Sequence, residues 1–230
     1  YNWDNAGPQN NWGTGAGGPF PNAAGDVANL NIDIAGNQII NLNQAVTIGT
    51  INIGDTSGAS TMTINPNGGS FTFDVSSGSA TLTKAAVGTG ADTISANITL
   101  NDNLSITNSS GVSLTLSGNI DGGGGITINP GAGNTIVNGS NTYAGVTDIN
   151  GTGGNAYLRI GNAAALGSVT NGTIVRSGTR LHVNAAGTYN AEPLTLDGGA
   201  LFSQNALAPV WTGPVTLTAP SAIKVDNSGT

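Results

Sequence analysis

The chain has 230 residues, of which only 7% are charged, with no cysteine and a net charge of −7. Five Lys and Arg against twelve Asp and Glu argue against binding to a phosphate backbone, which demands clustered cations, so nucleic acid is not an expected partner. The length suffices to bury a core without disulfides or metals. No apolar run approaches the length of a membrane-spanning helix, and Tyr1 opens without a charged or apolar leader, so a signal peptide is expected to have been removed or to lie outside this sequence.

The first segment, residues 1–29, reads YNWDNAGPQNNWGTGAGGPFPNAAGDVAN and concentrates Trp3, Trp12 and Phe20 in a chain that is only 5% aromatic. Two readings fit these rings: a cap over the open end of a β architecture, or a stacking platform for glycans or self-assembly. From Leu30 onward short runs with period two follow one another: 30–34, 46–53, 61–64, 71–75, 93–100, 104–106, 112–116, 126–128, 135–137, 146–149, 157–160, 173–175, 181–183, 194–196, 215–217 and 223–225. Turn formers punctuate them, such as NPNGG at Asn65, NSSG at Asn108, DGGGG at Asp121 and LDGG at Leu196. The only helix-like stretch, AAAL at Ala163 to Leu166, is too short to nucleate and is expected to be a turn that tucks small side chains inward.

Evenly spaced short strands have two main solutions, an antiparallel sandwich or barrel and a parallel solenoid. Here groups of strands return about every 20 to 25 residues, the spacing of solenoid coils. The expected fold is therefore all-β, a parallel β-helix of roughly nine coils over residues 30–230, with the Trp-rich segment as its N-terminal cap.

Candidates for chemistry are sparse. The one histidine, His182, alternates with Leu181 and Val183 and so faces away from them. A polysaccharide-cleaving β-helix would need carboxylates at coil spacing beside a cation, and the best set is Asp102, Asp121 and Asp148 with Arg159, Arg176 and Arg180. The competing reading is turn chemistry, in which Asp55, Asp121, Asp197 and Asp226 bond their local backbone. No cofactor is expected. GNIDGGGG at Gly118 to Gly125 lacks the nonapeptide repeat of a calcium β-roll, which leaves at most an incidental Ca²⁺ at a surface turn. Asn97, Asn103, Asn108, Asn138, Asn150 and Asn171 open N-x-Ser/Thr sequons that would matter only in a eukaryotic secretory route.

Residues 138–175 add something more specific. Asn141, Thr142, Tyr143, Gly145, Thr147 and Ile149, then Leu158, Gly161 and Asn162, then Ala165, Leu166, Gly167, Val169 and Gly172 resemble the autotransporter-associated β-strand repeat (passenger-associated transport repeat). Val146 and the insert GTGGNAY depart from that pattern. The resemblance implies a right-handed parallel β-helix exported to a bacterial outer cell surface. The expected function is then an extracellular structural or adhesive rod, able to join end to end into filaments and partnered by its own copies, by neighbouring surface proteins or by glycans. The alternatives are a β-helix polysaccharide lyase or hydrolase and a non-catalytic glycan-binding module.

Overall fold

The computed structural model describes residues 1–3, 20–129, 131–150, 157–189, 192–204 and 207–226; Trp12 lies outside the described residues. Among these, the chain winds through 24 strands and no helix. The first coil holds β1 (Val27–Leu30), β2 (Gln38–Asn41) and β3 (Ala45–Ile48); the second β4 (Thr50–Ile53), β5 (Met62–Asn65) and β6 (Ser70–Phe73). The third holds β7 (Ala80–Lys84), β8 (Asp92–Ile94) and β9 (Asn97–Leu100); the fourth β10 (Leu104–Asn108), β11 (Leu114–Leu116) and β12 (Ile120–Gly122). Two strands suffice for the fifth, β13 (Ile126–Ile128) and β14 (Thr135–Val137), and for the sixth, β15 (Thr147–Ile149) and β16 (Tyr157–Ile160). The seventh contains β17 (Thr173–Arg176), β18 (Arg180–Val183) and β19 (Gly187–Tyr189), and the eighth β20 (Leu194–Asp197), β21 (Ala200–Gln204) and β22 (Pro209–Trp211). The ninth ends with β23 (Val215–Ala219) and β24 (Ala222–Asp226).

The first strand of every coil joins one nine-stranded sheet and the second strand joins another, so the chain makes about eight full turns of a parallel β-solenoid. At one strand spacing of ~4.8 Å per coil, the rod is about 40 Å long. A third sheet, β3-β6-β9-β12, closes only the first four coils, and a two-stranded pair, β19-β22, closes the seventh and eighth. Partners in one inward column of the first sheet are Ala28, Ile51, Leu82, Ile106, Ile128, Ile149, Val175, Leu196 and Leu217. All but Leu217 are buried, and each stacked Ile or Leu contributes about 1.5–3 kcal/mol.

The sequence intervals along that column are uneven, short from Val175 to Leu196 and longest from Ile51 to Leu82. The longest coil contains the loop after Gly54, which folds around Asp55. Its carboxylate accepts backbone N–H groups from Ile34, Ser57, Gly58 and Ser60 at 3.1–3.4 Å. Burial alone would push this carboxyl up, but those donors hold it below the ordinary carboxylate range.

Corners between coils are stitched by asparagine, which explains the composition. Thr47 donates to Asn22 Oδ1, Thr61 to Asn37 Oδ1, Asn119 to Asn97 Oδ1 and Ser140 to Asn119 Oδ1, each across one coil at 2.8–3.0 Å. Asn108, read as a sequon, points inward instead and donates to Val112 and Asn134 carbonyls at 2.7 and 2.9 Å.

Several strand boundaries differ from expectation. The solenoid begins at Val27, inside the segment assigned to the cap. The run 46–53 is two strands broken at Gly49, where a Cβ would fall 2.6 Å from the Gly25 backbone of the preceding coil. The run 93–100 is likewise two strands. Strands β2, β7, β12, β19, β21 and β22 have no counterpart among the expected runs; β2 buries a single side chain, Ile40, and so carries little period-two signal.

Candidate functional site

Three places concentrate unusual side chains: the two ends of the solenoid and the corner formed by the repeat-like segment. At the N-terminal end Tyr1 to Trp3 lie along β2. The Tyr1 ammonium donates to Ile39 O at 2.8 Å, Asn41 N–H to Tyr1 O at 2.7 Å, and Trp3 N–H to Asn41 O at 2.9 Å. Trp3 is fully buried, edge-on to Phe71 with 5.1 Å between ring centres, and its indole N–H donates to Pro21 O at 3.1 Å. This ring covers the first coil and leaves no face open to a sugar. Phe20 is partly buried against the same core. Beside the cap an apolar groove of about 450 Å³ stays open, lined by Tyr1, Leu30, Ile32, Ile34, Ile40 and Met62 among others.

At the other end the inward columns reach the surface. Leu217, Ile223 and Val225 continue the core ladders of both long sheets, yet are 57%, 63% and 65% exposed. A second apolar groove of about 410 Å³, lined by Val183, Leu201, Leu207, Trp211, Ile223 and Val225 among others, opens beside them.

The repeat-like segment occupies the corners of the fifth and sixth coils, where the third sheet is missing. Asn141 is buried there and ties three coils together: its Oδ1 accepts from Ile120 N–H at 2.8 Å, its Nδ2 donates to Ala165 O at 2.7 Å, and its own N–H donates to Ala164 O. Tyr143 fills the space a third strand would occupy and its hydroxyl meets Thr147 Oγ1 at 2.5 Å. Gly167, at φ +83°, passes so close beneath that ring that a Cβ would lie 2.8 Å from it. Ala165 and Leu166 point inward, so AAAL is the turn the sequence suggested. Each motif residue named here has a packing role.

One further polar group is buried in the adjoining coils. Glu192, the single glutamate, accepts a hydrogen bond from Thr173 Oγ1 at 2.8 Å, and Thr173 is the register partner of Thr147. Burial raises the Glu192 carboxyl to about 7, the Thr173 hydroxyl partly opposing it. Burial likewise pushes the Tyr143 hydroxyl far above the ordinary phenol range. No sequence pattern marked Glu192, because alternation gives no hint that a corner carboxylate is inside.

The carboxylates and cations proposed for polysaccharide cleavage do not converge. Asp102 sits in the corner before β10 and accepts Val75 N–H at 2.8 Å. Asp121 is exposed on the third sheet, and Asp148 faces outward on the first sheet, held by Arg176 through two bonds of 2.8 and 2.9 Å. Arg159 and Arg180 stand on the second sheet. His182 faces outward between buried Leu181 and Val183, as its alternation implied. Among the described residues no group of three or more acidic or histidine side chains is placed to hold a metal ion, and no helix is long and apolar enough to cross a membrane. No protein-family model, curated protein or solved structure matches the chain.

Proposed function

We propose that this chain is a structural, adhesive rod of a bacterial outer cell surface, similar to an autotransporter passenger, whose copies join end to end. The observation that carries the reading is the continuous parallel stack of two nine-stranded sheets, whose repeat-like corner locks one coil to the next. Leu217, Ile223 and Val225 protrude from the last coil, while a groove lined by Leu30, Ile32, Ile34 and Ile40 opens at the first. Two different apolar surfaces of one chain, set against each other, would make a head-to-tail contact, which grows into a filament. Strand addition along β23 and β24 adds backbone hydrogen bonds to that contact. The repeat-like corner supports the same reading, since its distinctive residues lock coil to coil rather than lining a cleft. Low surface charge and a continuous ladder suit a rod exposed to proteases outside the cell.

Electron microscopy and sedimentation of the purified chain over a dilution series test the proposal. Fibres or concentration-dependent oligomers are expected for the parent, and dispersed rods about 40 Å long for the double variant Ile223→Lys/Val225→Lys, because charge on an edge strand blocks pairing. Dispersed rods for the parent at every concentration, or fibres unaffected by the lysines, would overturn it.

A further inference from the structure

One outward column of the second sheet changes character along the rod. It runs through Ile39, Thr63, Thr93, Thr115 and Ile136 on β2, β5, β8, β11 and β14. In the next four coils it becomes Arg159, His182, Phe202 and Lys224. The neighbouring outward column places Tyr157 beside Arg180 and then falls away to Ala200 and Ala222. Three of the five Lys and Arg residues thus share one face with the only histidine, in a chain of net charge −7.

Arg180 and Lys224 are held by rings rather than by carboxylates. The Arg180 guanidinium lies 4.5 Å from the centre of the Tyr157 ring and 5.2 Å from that of Phe202, and Lys224 Nζ is 5.8 Å from the Phe202 ring. Among the described residues no ion pair engages Arg159, Arg180 or Lys224, whereas the other two cations are tied to Asp92 and Asp148. Aromatic contacts fix Arg180 and Lys224 without neutralising them, and their charge, with that of Arg159, stays available to a ligand. Along the same face a shallow groove of about 520 Å³ has Gly198, Gly199, Ala200 and Ala222 among its lining residues, with Arg180 and Phe202 beside them.

We propose that this face binds an acidic polysaccharide, a linear chain of uronate sugars laid along the solenoid axis. Arg159 and Arg180 stand one coil apart and Lys224 two coils beyond Arg180, so three cations fall at multiples of ~4.8 Å along the axis and match a polymer that presents carboxylates at intervals, while guanidinium groups recognise carboxylates through paired hydrogen bonds. The groove floor is too shallow and too small-chained to anchor a protein partner, which needs a buried aromatic or aliphatic hot spot. A single-stranded nucleic acid needs open ring faces for its bases, and here the cations occupy faces of both rings. The proposal concerns the side of the rod and holds whether or not copies join at their ends.

The test is calorimetric titration of the intact chain with polygalacturonate fragments at low and near-physiological salt, beside a neutral glucan and oligo-dT. Saturable binding of the polyuronate that weakens with salt is expected, and the double variant Arg159→Gln/Lys224→Gln should weaken it at least about tenfold. Thr63→Ala, in the same column on the N-terminal coils, should leave it unchanged. Both variants alter outward side chains, and an unchanged circular dichroism melt confirms that they fold. No binding by the parent, equal binding of the neutral glucan, tighter binding of oligo-dT, or full binding by the double variant would each overturn the proposal.

Discussion

Replacing Asp92 by Ala strands the Lys84 ammonium inside the solenoid. Lys84 stands in an inward column after Leu30 and Ile53, its side chain only 2% exposed, and it reaches Asp92, whose side chain is fully buried, and Gly90 O at 2.8 Å. Asp92 Oδ1 also accepts Met62 N–H at 2.7 Å. Removing one partner of a buried pair costs about 3–5 kcal/mol, and leaving the Met62 amide unpaired adds about 1 kcal/mol or more. Asp92→Ala should therefore lose about 4–6 kcal/mol. Lys84→Met, which leaves the Met62 bond intact, should lose about 3–5 kcal/mol. The double variant Lys84→Met/Asp92→Ala removes both charges, so it should lose only about 2–3 kcal/mol, from the unpaired Met62 amide and the small space left at position 92. Urea unfolding followed by circular dichroism gives the four free energies of the cycle. A coupling below about 1 kcal/mol, with the double variant as unstable as the sum of the singles, would refute the argument that the two charges are tolerated only because each holds the other.

Asn141→Ala leaves the Ile120 amide and the Ala165 carbonyl unpaired and should cost about 2–4 kcal/mol, with faster hydrogen exchange at Ile120 as the local signature. Gly167→Ala forces a side chain to positive φ against the Tyr143 ring, and a loss above about 2 kcal/mol in urea unfolding is expected. Glu192 gives stability a pH slope: below pH 4.5 both folded and unfolded chains carry the proton, and between 4.5 and about 7 only the folded chain keeps it. Stability should thus fall by about 2–3 kcal/mol as pH rises through that window, and Glu192→Gln should flatten thermal melts across it. Trp3→Ala uncovers the first coil and should cost about 3–5 kcal/mol, read as a lower urea midpoint.

The solenoid was legible because its strongest signals are local. Runs such as 104–106, 126–128 and 194–196 alternate apolar and polar residues and are cut by Gly and Asn, and each became a strand with its apolar residues inward. Apart from β7, whose ATLTK does alternate, the strands that escaped show at most one buried side chain, as in QIIN and IDG, so period two has little to act on. What fixes them is the coil above and below. Gln38 to Asn41 form a strand because Met62 to Asn65 of the next coil offer a parallel edge in register, a fact of stacking distance that no window of one sequence segment contains.

The same limit separates what could be read of the sites. Trp3 could be singled out by composition, since a tryptophan near the first strand of a stack has an uncovered core to meet, and burial against Phe71 is the outcome. The Arg159, His182, Phe202 and Lys224 column could not, because its members stand a whole coil apart in sequence and become neighbours only when the coil lengths are known. A solenoid turns separations of one coil into contacts of one strand spacing. Surface chemistry in such a fold is therefore written along columns rather than along the chain. The intervals that decide it, such as the longer one from Ile149 to Val175 against the shorter one from Val175 to Leu196, are set by corner loops whose length the core does not constrain. An insertion or deletion in a corner can leave every core ladder intact, because it is absorbed outside the strands. A similar change inside β16 or β18 would turn Arg159 or His182 to the core and expose Leu158 or Leu181, since side chains alternate with period two. The cationic face is thus protected by the same alternation that builds the core, and the corners are where coil length is free to vary.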